Sequence, residues 1–207
     1  MSVALSYSSG ESATPLLGDT IGGNFDATVR AFGDREALVD RTPADGTARR
    51  WTYAELAADV DALALGLLEM GIVKGDRVGI WAPNCAEWTL TQYATAKIGA
   101  ILVNINPAYR TRELEFVLNQ SGTTLLIAAT RLKTSDYAAM IAEVRPRCPE
   151  LDAVVLLGSP QWQALLDAGR RLDRGALDAI ELDTDDPINI QYTSGTTGFP
   201  KGATLSH

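Results

Sequence analysis

The sequence holds one histidine, His207, and it is the last residue. Ser-His and Cys-His nucleophilic catalysis, and any metal site built on imidazole, are therefore not expected of these 207 residues. Cysteine is nearly as scarce. Cys85 and Cys148 fit no metal-ligand or CxxC spacing and read as reduced thiols in or near the core. No apolar run approaches the ~20 residues that cross a bilayer. The opening residues lack a basic stretch followed by an apolar one, so neither stable membrane insertion nor a signal peptide is expected, and a cytoplasmic location follows. Positive charge is also short: the formal net charge is −8, which argues against sequence-independent binding of nucleic acid. Lysine is rarer than arginine by four to fourteen, which draws attention to Lys201, set inside a glycine-rich stretch.

What is present is a globular composition, 46% hydrophobic and 21% charged, in a chain long enough for one large domain or two small ones. Residues 1–20 are polar and aperiodic and read as a loose N-terminal arm. "DREALVD" and "RRWTY" read as two short strands joined by a turn-rich segment. "TYAELAADVDALALGLLEMG" is the clearest helix. Thr52 and Glu55 form a capping-box pair, Leu56, Val60, Leu63 and Leu67 share a face, and Gly71 closes the end. "DRVGIWAP" reads as a buried strand. Asn84 with Glu87 is expected to cap a helix through "AEWTLTQYATAKIGA".

The alternation continues. "ILVNIN", "TTLLIAAT" and "LDAVVLLG" read as strands, and "TRELEFVLNQSG", "SDYAAMIAEVR" and "PQWQALLDAG" as helices, the second of these stopping at or before Pro146. Strands apolar throughout, separated by helix-length segments, predict an α/β fold with a mostly parallel sheet covered by helices on both faces. "RLDRGALDAIELDTDD" reads as a surface connector. "PINIQYTS" and "GATLSH" read as strands flanking a loop.

That loop carries the chemistry. In "TSGTTGFPKG", Gly195, Gly198 and Gly202 admit backbone conformations that let successive N–H groups turn inward as an anion nest. Thr193, Ser194, Thr196 and Thr197 add hydroxyl donors, Lys201 adds a cation, and Pro200 stiffens the turn before it. Such a set suits a polyphosphate, the cation offsetting charge on a departing phosphate. A glycine- and threonine-rich hairpin without a ligand is the plain alternative for a loop of this general composition. The nucleotide-binding pattern G-x-x-x-x-G-K-[ST] fails, because Gly202 follows Lys201 and the segment joins two strands. A P-loop-like nucleotidase is accordingly a poor reading.

The unbroken run from Tyr192 to Gly202 resembles the phosphate-loop signature of the AMP-forming adenylating enzymes, a superfamily that includes acyl-CoA synthetases and luciferases. "WTYAEL", "KGDRVGIWAPNCAEW", "AKIGAILVNINPAYRTRELEFVLNQSG" and "INIQYTSGTTGFPKGATLSH" are similar to the N-terminal part of its fatty-acyl-CoA synthetase branch. The resemblance implies the N-terminal part of the large domain of an adenylate-forming enzyme, reaching as far as the phosphate-loop hairpin. Residues 21–207 would then be an incomplete AMP-binding domain, without the C-terminal domain. It further implies activation of a carboxylic (fatty) acid by ATP, release of pyrophosphate, and transfer of the acyl group to coenzyme A. Thr193, Ser194, Gly195, Thr196, Thr197, Gly198 and Lys201 would hold the ATP phosphates. Asn84 to Trp88 and Asn104 to Tyr109 match the family too, but Asn84 is accounted for as a helix cap, and Trp88 and Tyr109 as packing.

In that family the adenine and ribose contacts, the Mg²⁺ ligand and a mobile C-terminal domain come after this loop. The expectation is that these residues alone neither adenylate nor form thioesters, and that they expose apolar surface and an unpaired strand edge. The alternative is a naturally short, non-catalytic module that binds phosphate or a completing partner chain.

Overall fold

The computed structural model describes residues 17–42, 46–193 and 200–207. Helix α1 (Ile21–Phe32) leads into a two-stranded antiparallel pair, β1 (Glu36–Asp40) and β2 (Arg49–Thr52), followed by α2 (Tyr53–Glu69). Then come β3 (Arg77–Trp81), α3 (Ala86–Ile98), β4 (Ile101–Asn104), α4 (Thr111–Ser121) and β5 (Leu125–Ala128). A small hairpin, β6 (Arg131–Leu132) and β7 (Ser135–Asp136), precedes α5 (Tyr137–Val144). After a 3₁₀ turn at Arg145–Arg147 the chain forms β8 (Ala153–Leu156), α6 (Pro160–Gly169), α7 (Gly175–Asp178), β9 (Pro187–Thr193) and β10 (Lys201–Ser206).

The main sheet has the order β10-β9-β4-β3-β5-β8. Its strands pair in parallel except for β10, which returns antiparallel along β9. Successive residues of a strand face opposite sides, and the two cores follow from that. Leu125 and Ile127 enter a core with α1, α2, α3 and α6, whereas Leu126 and Ala128 enter another with α4 and α5. All four are fully buried, so the continuous apolar run reflects a strand covered on both faces. The edge strand β10 contrasts with them: its six residues are exposed.

The capping box of α2 forms as its sequence predicts. The Glu55 N–H donates to Thr52 Oγ1 at 3.2 Å, and the Thr52 N–H donates to the Glu55 carboxylate at 2.8 Å. Burial opposes ionisation only slightly at this exposed site, and the Thr52 hydrogen bonds lower the Glu55 carboxyl below its ordinary value.

Asn84 does not cap α3. The N-cap is Cys85, which makes no side-chain capping bond. Asp40, at the end of β1, takes the role instead. Its carboxylate accepts the Ala86 N–H at 3.3 Å, both the amide and the hydroxyl of Thr42, and Arg49. Arg49 also donates to both oxygens of Glu87, at 2.6 and 3.1 Å. The cap thus arrives from 46 residues away, where no local sequence rule looks for it.

Helix α1 is absent from the sequence reading because Gly22 and Gly23 weaken its local signal. Thr20 caps it by accepting the Gly23 N–H at 3.0 Å, and Phe25 stacks on Tyr93 of α3 at 4.4 Å. A Cβ on Gly22 would lie 3.2 Å from Lys97 Cγ, so the glycine lets α1 settle over that side chain. Lys97 is buried and donates to Asp26 of α1 at 2.5 Å and to Asp61 of α2 at 2.6 Å. Arg174 reaches the same two acids, at 3.4 and 2.7 Å. The supposed surface connector is therefore anchored: it contains α7, whose Leu177 is buried in the first core.

Candidate functional site

Strand β9 runs parallel to β4, with Asn104 opposite Gln191, so its carboxyl end lies beside the carboxyl ends of β4 and β3. Open α/β sheets bind ligands at that edge. The chain leaves β9 at Thr193 and returns on β10 at Lys201, and these two residues are cross-strand partners. Thr193 Oγ1 donates to the Lys201 carbonyl at 3.4 Å. The hairpin anticipated from the sequence is present, and both its ends are fixed. Ser194, Gly195, Thr196, Thr197 and Gly198, five of the seven expected phosphate contacts, lie outside the described residues.

Gly202 has a packing reason. A Cβ there would sit 2.9 Å from Ile190 Cγ2 and 3.3 Å from the Tyr192 ring. Its absence lets Tyr192 lie across the hairpin against the α4/α5 core. Burial pushes the Tyr192 hydroxyl up from its ordinary pKa. Lys201 is exposed, and among the described residues its ammonium has no carboxylate partner. Lys74 and Lys97, by contrast, are ion-paired.

Beside the hairpin a cleft of about 240 Å³ opens, lined by side chains from three strand ends: Asn84 and Trp88 after β3, Asn104 and Asn106 at and after β4, and Gln191 and Tyr192 on β9. Its polar side chains are carboxamides, an indole and a phenol, and among the described residues no charged side chain lines it. Asn104 Nδ2 donates to Asn189 Oδ1 at 3.4 Å, while Asn104 Oδ1 is buried with no hydrogen-bond partner among the described residues. Asn84, read from sequence as a cap, belongs to this lining instead. Trp88 packs against Ile80, Ala82 and Leu102, as expected, but it also walls the cleft. Tyr109 packs on the α4/α5 core. Gln191 carried no signal of its own; only its register opposite Asn104 places it here.

Cys85 and Cys148 are free thiols. Burial raises the Cys85 pKa to about 11, and neighbouring Glu87 and Asp40 add to the rise, so the group is a poor nucleophile despite its place at a helix start. Among the described residues no cluster of three histidine, cysteine or acidic side chains is disposed to hold a metal. Another concavity, of about 200 Å³, is bordered by α1 and α7, but its charged groups Asp26, Lys97, Arg174 and Asp178 already pair with one another. The described helices include none long and apolar enough to cross a membrane.

Comparison with known proteins agrees with this geometry. Residues 25–207 match the sequence profile of the AMP-binding enzymes. The chain is 41% identical over 222 residues to the mitochondrial medium-chain acyl-CoA ligase ACSF2 of Danio rerio, covering 98% of this chain and 36% of that protein. Among solved structures it resembles the N-terminal domain of FACL13 from Mycobacterium tuberculosis, with a TM-score of 0.76 and 30% identity, over 91% of this chain and 44% of that one. It also resembles a long-chain-fatty-acid-CoA ligase (FadD1) from Archaeoglobus fulgidus, with a TM-score of 0.80 and 25% identity, over 99% and 40% of the two chains. The chain thus spans little more than a third of the length of the curated relative.

Proposed function

The chain belongs to the AMP-binding enzyme family, and from that premise we propose that it supplies the phosphate-holding part of a carboxylate-activating site. In the reaction an oxygen of a carboxylic acid attacks the α-phosphorus of ATP. The bond from that phosphorus to the oxygen bridging to the β-phosphate breaks, and pyrophosphate departs, leaving an acyl-adenylate. The thiol of coenzyme A then attacks the acyl carbonyl and displaces AMP. Fatty acids are the substrate class, in keeping with the names of the relatives. Cytoplasmic residence belongs to the same proposal, although the Danio rerio relative is named as mitochondrial. So does the division into an arm at 1–20 and part of an AMP-binding domain at 21–207.

The roles follow from charge. Negative charge gathers on the leaving pyrophosphate as the bond breaks. Thr193, Ser194, Gly195, Thr196, Thr197 and Gly198 offer backbone N–H and hydroxyl donors to its oxygens, and Lys201 brings a full positive charge. The observation that carries this reading is the pairing of Thr193 with Lys201 at the carboxyl end of β9, with Lys201 exposed and, among the described residues, without a carboxylate partner. Among the described residues no acid lines that cleft. The described residues therefore do not fit a Mg²⁺ site, and no step is assigned to the metal.

These 207 residues are expected to bind ATP weakly and not to activate acid. The donor set one loop can offer, about five hydrogen bonds at ~0.5–1.5 kcal/mol each, is largely consumed by ordering the loop and ligand. No described group in the cleft would hold a carboxylate in line with the α-phosphorus. ATP–pyrophosphate exchange with a medium-chain acid should stay at the buffer background. Exchange above background, lost on Lys201→Met, would show that these residues suffice.

A further inference from the structure

Trp81 at the end of β3 and Tyr137 at the start of α5 are fully buried, and their rings stack with centroids 3.6 Å apart and planes 5° from parallel. Burial of two rings is ordinary packing; the direction of their polar tips is informative. Buried indole N–H and phenol O–H groups need acceptors. Trp81 Nε1 donates to the Asn106 carbonyl at 3.1 Å, and the Tyr137 hydroxyl donates to the carbonyl of Pro107, the next residue. Two donors from one rigid pair thus hold consecutive carbonyls of the segment that walls the cleft shared with Gln191 and Tyr192. The segment is braced by its own local hydrogen bonds as well. The Asn106 carbonyl also accepts the Tyr109 N–H at 3.0 Å, and Asn106 Oδ1 accepts the Ala108 N–H at 2.9 Å.

We propose that Trp81 and Tyr137 are positioning residues. Together they set the Asn106–Pro107 wall against Gln191 and Tyr192, the two residues that lead into the phosphate-binding hairpin. The proposal rests on the phosphate-holding reading above. Neither ring reaches the cleft lining itself, so any effect on a ligand must pass through the wall. A pair that served the core alone would leave ligand affinity untouched once the fold was intact.

The test is Tyr137→Phe, which keeps the stacked ring and deletes only the donor to Pro107. The 207-residue chain is followed by amide hydrogen exchange, thermal melting and titration with inorganic pyrophosphate. Expected are exchange at Ala108 and Tyr109 faster by about tenfold, pyrophosphate binding weaker by about fivefold, and a Tm lowered by no more than about 5 °C. Trp81→Phe, which removes the other donor, should change exchange and binding in the same direction. Unchanged exchange at Ala108 and Tyr109 in a folded Tyr137→Phe chain overturns the proposal. So does faster exchange with pyrophosphate affinity unaltered, since the wall would then position nothing that the ligand uses. Absence of pyrophosphate binding in the unmodified chain is a different failure, that of the phosphate-holding reading. The wall's attachment to the ring pair is then decided by hydrogen exchange alone.

Discussion

Gly169→Ala is expected to abolish cooperative folding, or to cost upward of about 4 kcal/mol. Gly169 ends α6 where that helix crosses α2, and a Cβ there would lie 1.8 Å from the Ala62 carbonyl oxygen and 2.8 Å from the Gly66 amide nitrogen. These obstacles are backbone, so no rotamer change relieves them. The contact is reciprocal: a Cβ on Gly66 would lie 2.3 Å from the carbonyl oxygen of Leu165. Two glycines therefore bring two helix backbones together, burying Leu63, Leu67, Leu165 and Leu166 in the first core. Separating the helices to admit one methyl group would open that whole seam, in a core packed nearly to crystal density. Gly175→Ala is the control, because its nearest obstacle is the movable Asp173 carboxylate at 3.2 Å. Urea unfolding checks both; a Gly169→Ala chain as stable as the Gly175→Ala chain would refute the close-approach argument.

Asp40→Ala is expected to destabilise the chain by about 3 kcal/mol at neutral pH, because it strips a buried partner from Arg49 and the cap from α3. Burial by itself would raise the Asp40 carboxyl, but hydrogen bonds from the Thr42 hydroxyl and amide, Arg49 and the Ala86 amide outweigh it and hold the pKa at about 2, against an ordinary 3.8. A pKa lower in the folded than in the unfolded chain means that the native state favours the ionised form. The resulting stabilisation is complete above 3.8 and is lost as pH falls toward about 2. Its size is about 1–2 kcal/mol once screening around the solvent-facing Arg49 is allowed for. Unfolding free energies from pH 7 down to pH 2 should therefore fall more steeply for the unmodified chain than for Asp40→Ala. Parallel curves would mean that Asp40 titrates alike in both states. The consequence extends to the site, since Asp40 and Arg49 fix the start of α3, directly after the Ala82–Asn84 wall of the cleft.

Both sites show where sequence reading reaches and where it stops. The parallel sheet was legible because strands such as Leu125–Ala128 must be apolar on two faces, and the α2 capping box because its partners stand three residues apart. Helix α1 was not legible: its Gly22 serves contact with Lys97, a residue more than seventy positions away. The cap of α3 was misassigned to Asn84 for a similar reason, since the carboxylate that serves comes from another strand. The connector likewise concealed α7, held by Arg174 on Asp26 and Asp61. At the site, the proposed phosphate-holding role rests on the ordered run of glycines, hydroxyls and one lysine, which is legible in the sequence alone. The cleft beside it was invisible, because Asn84, Asn104 and Gln191 meet only through the parallel register of β3, β4 and β9.

The central claim is that the Thr193–Lys201 hairpin holds phosphate and that the Lys201 ammonium is part of the grip. Calorimetric titration of inorganic pyrophosphate into the unmodified chain and into Lys201→Met tests it most directly. Saturable binding in the millimolar range, weakened by about tenfold or more in the variant, with the melting temperature unchanged, is the predicted result. No saturable binding to the unmodified chain, or equal affinity in both chains, would contradict it.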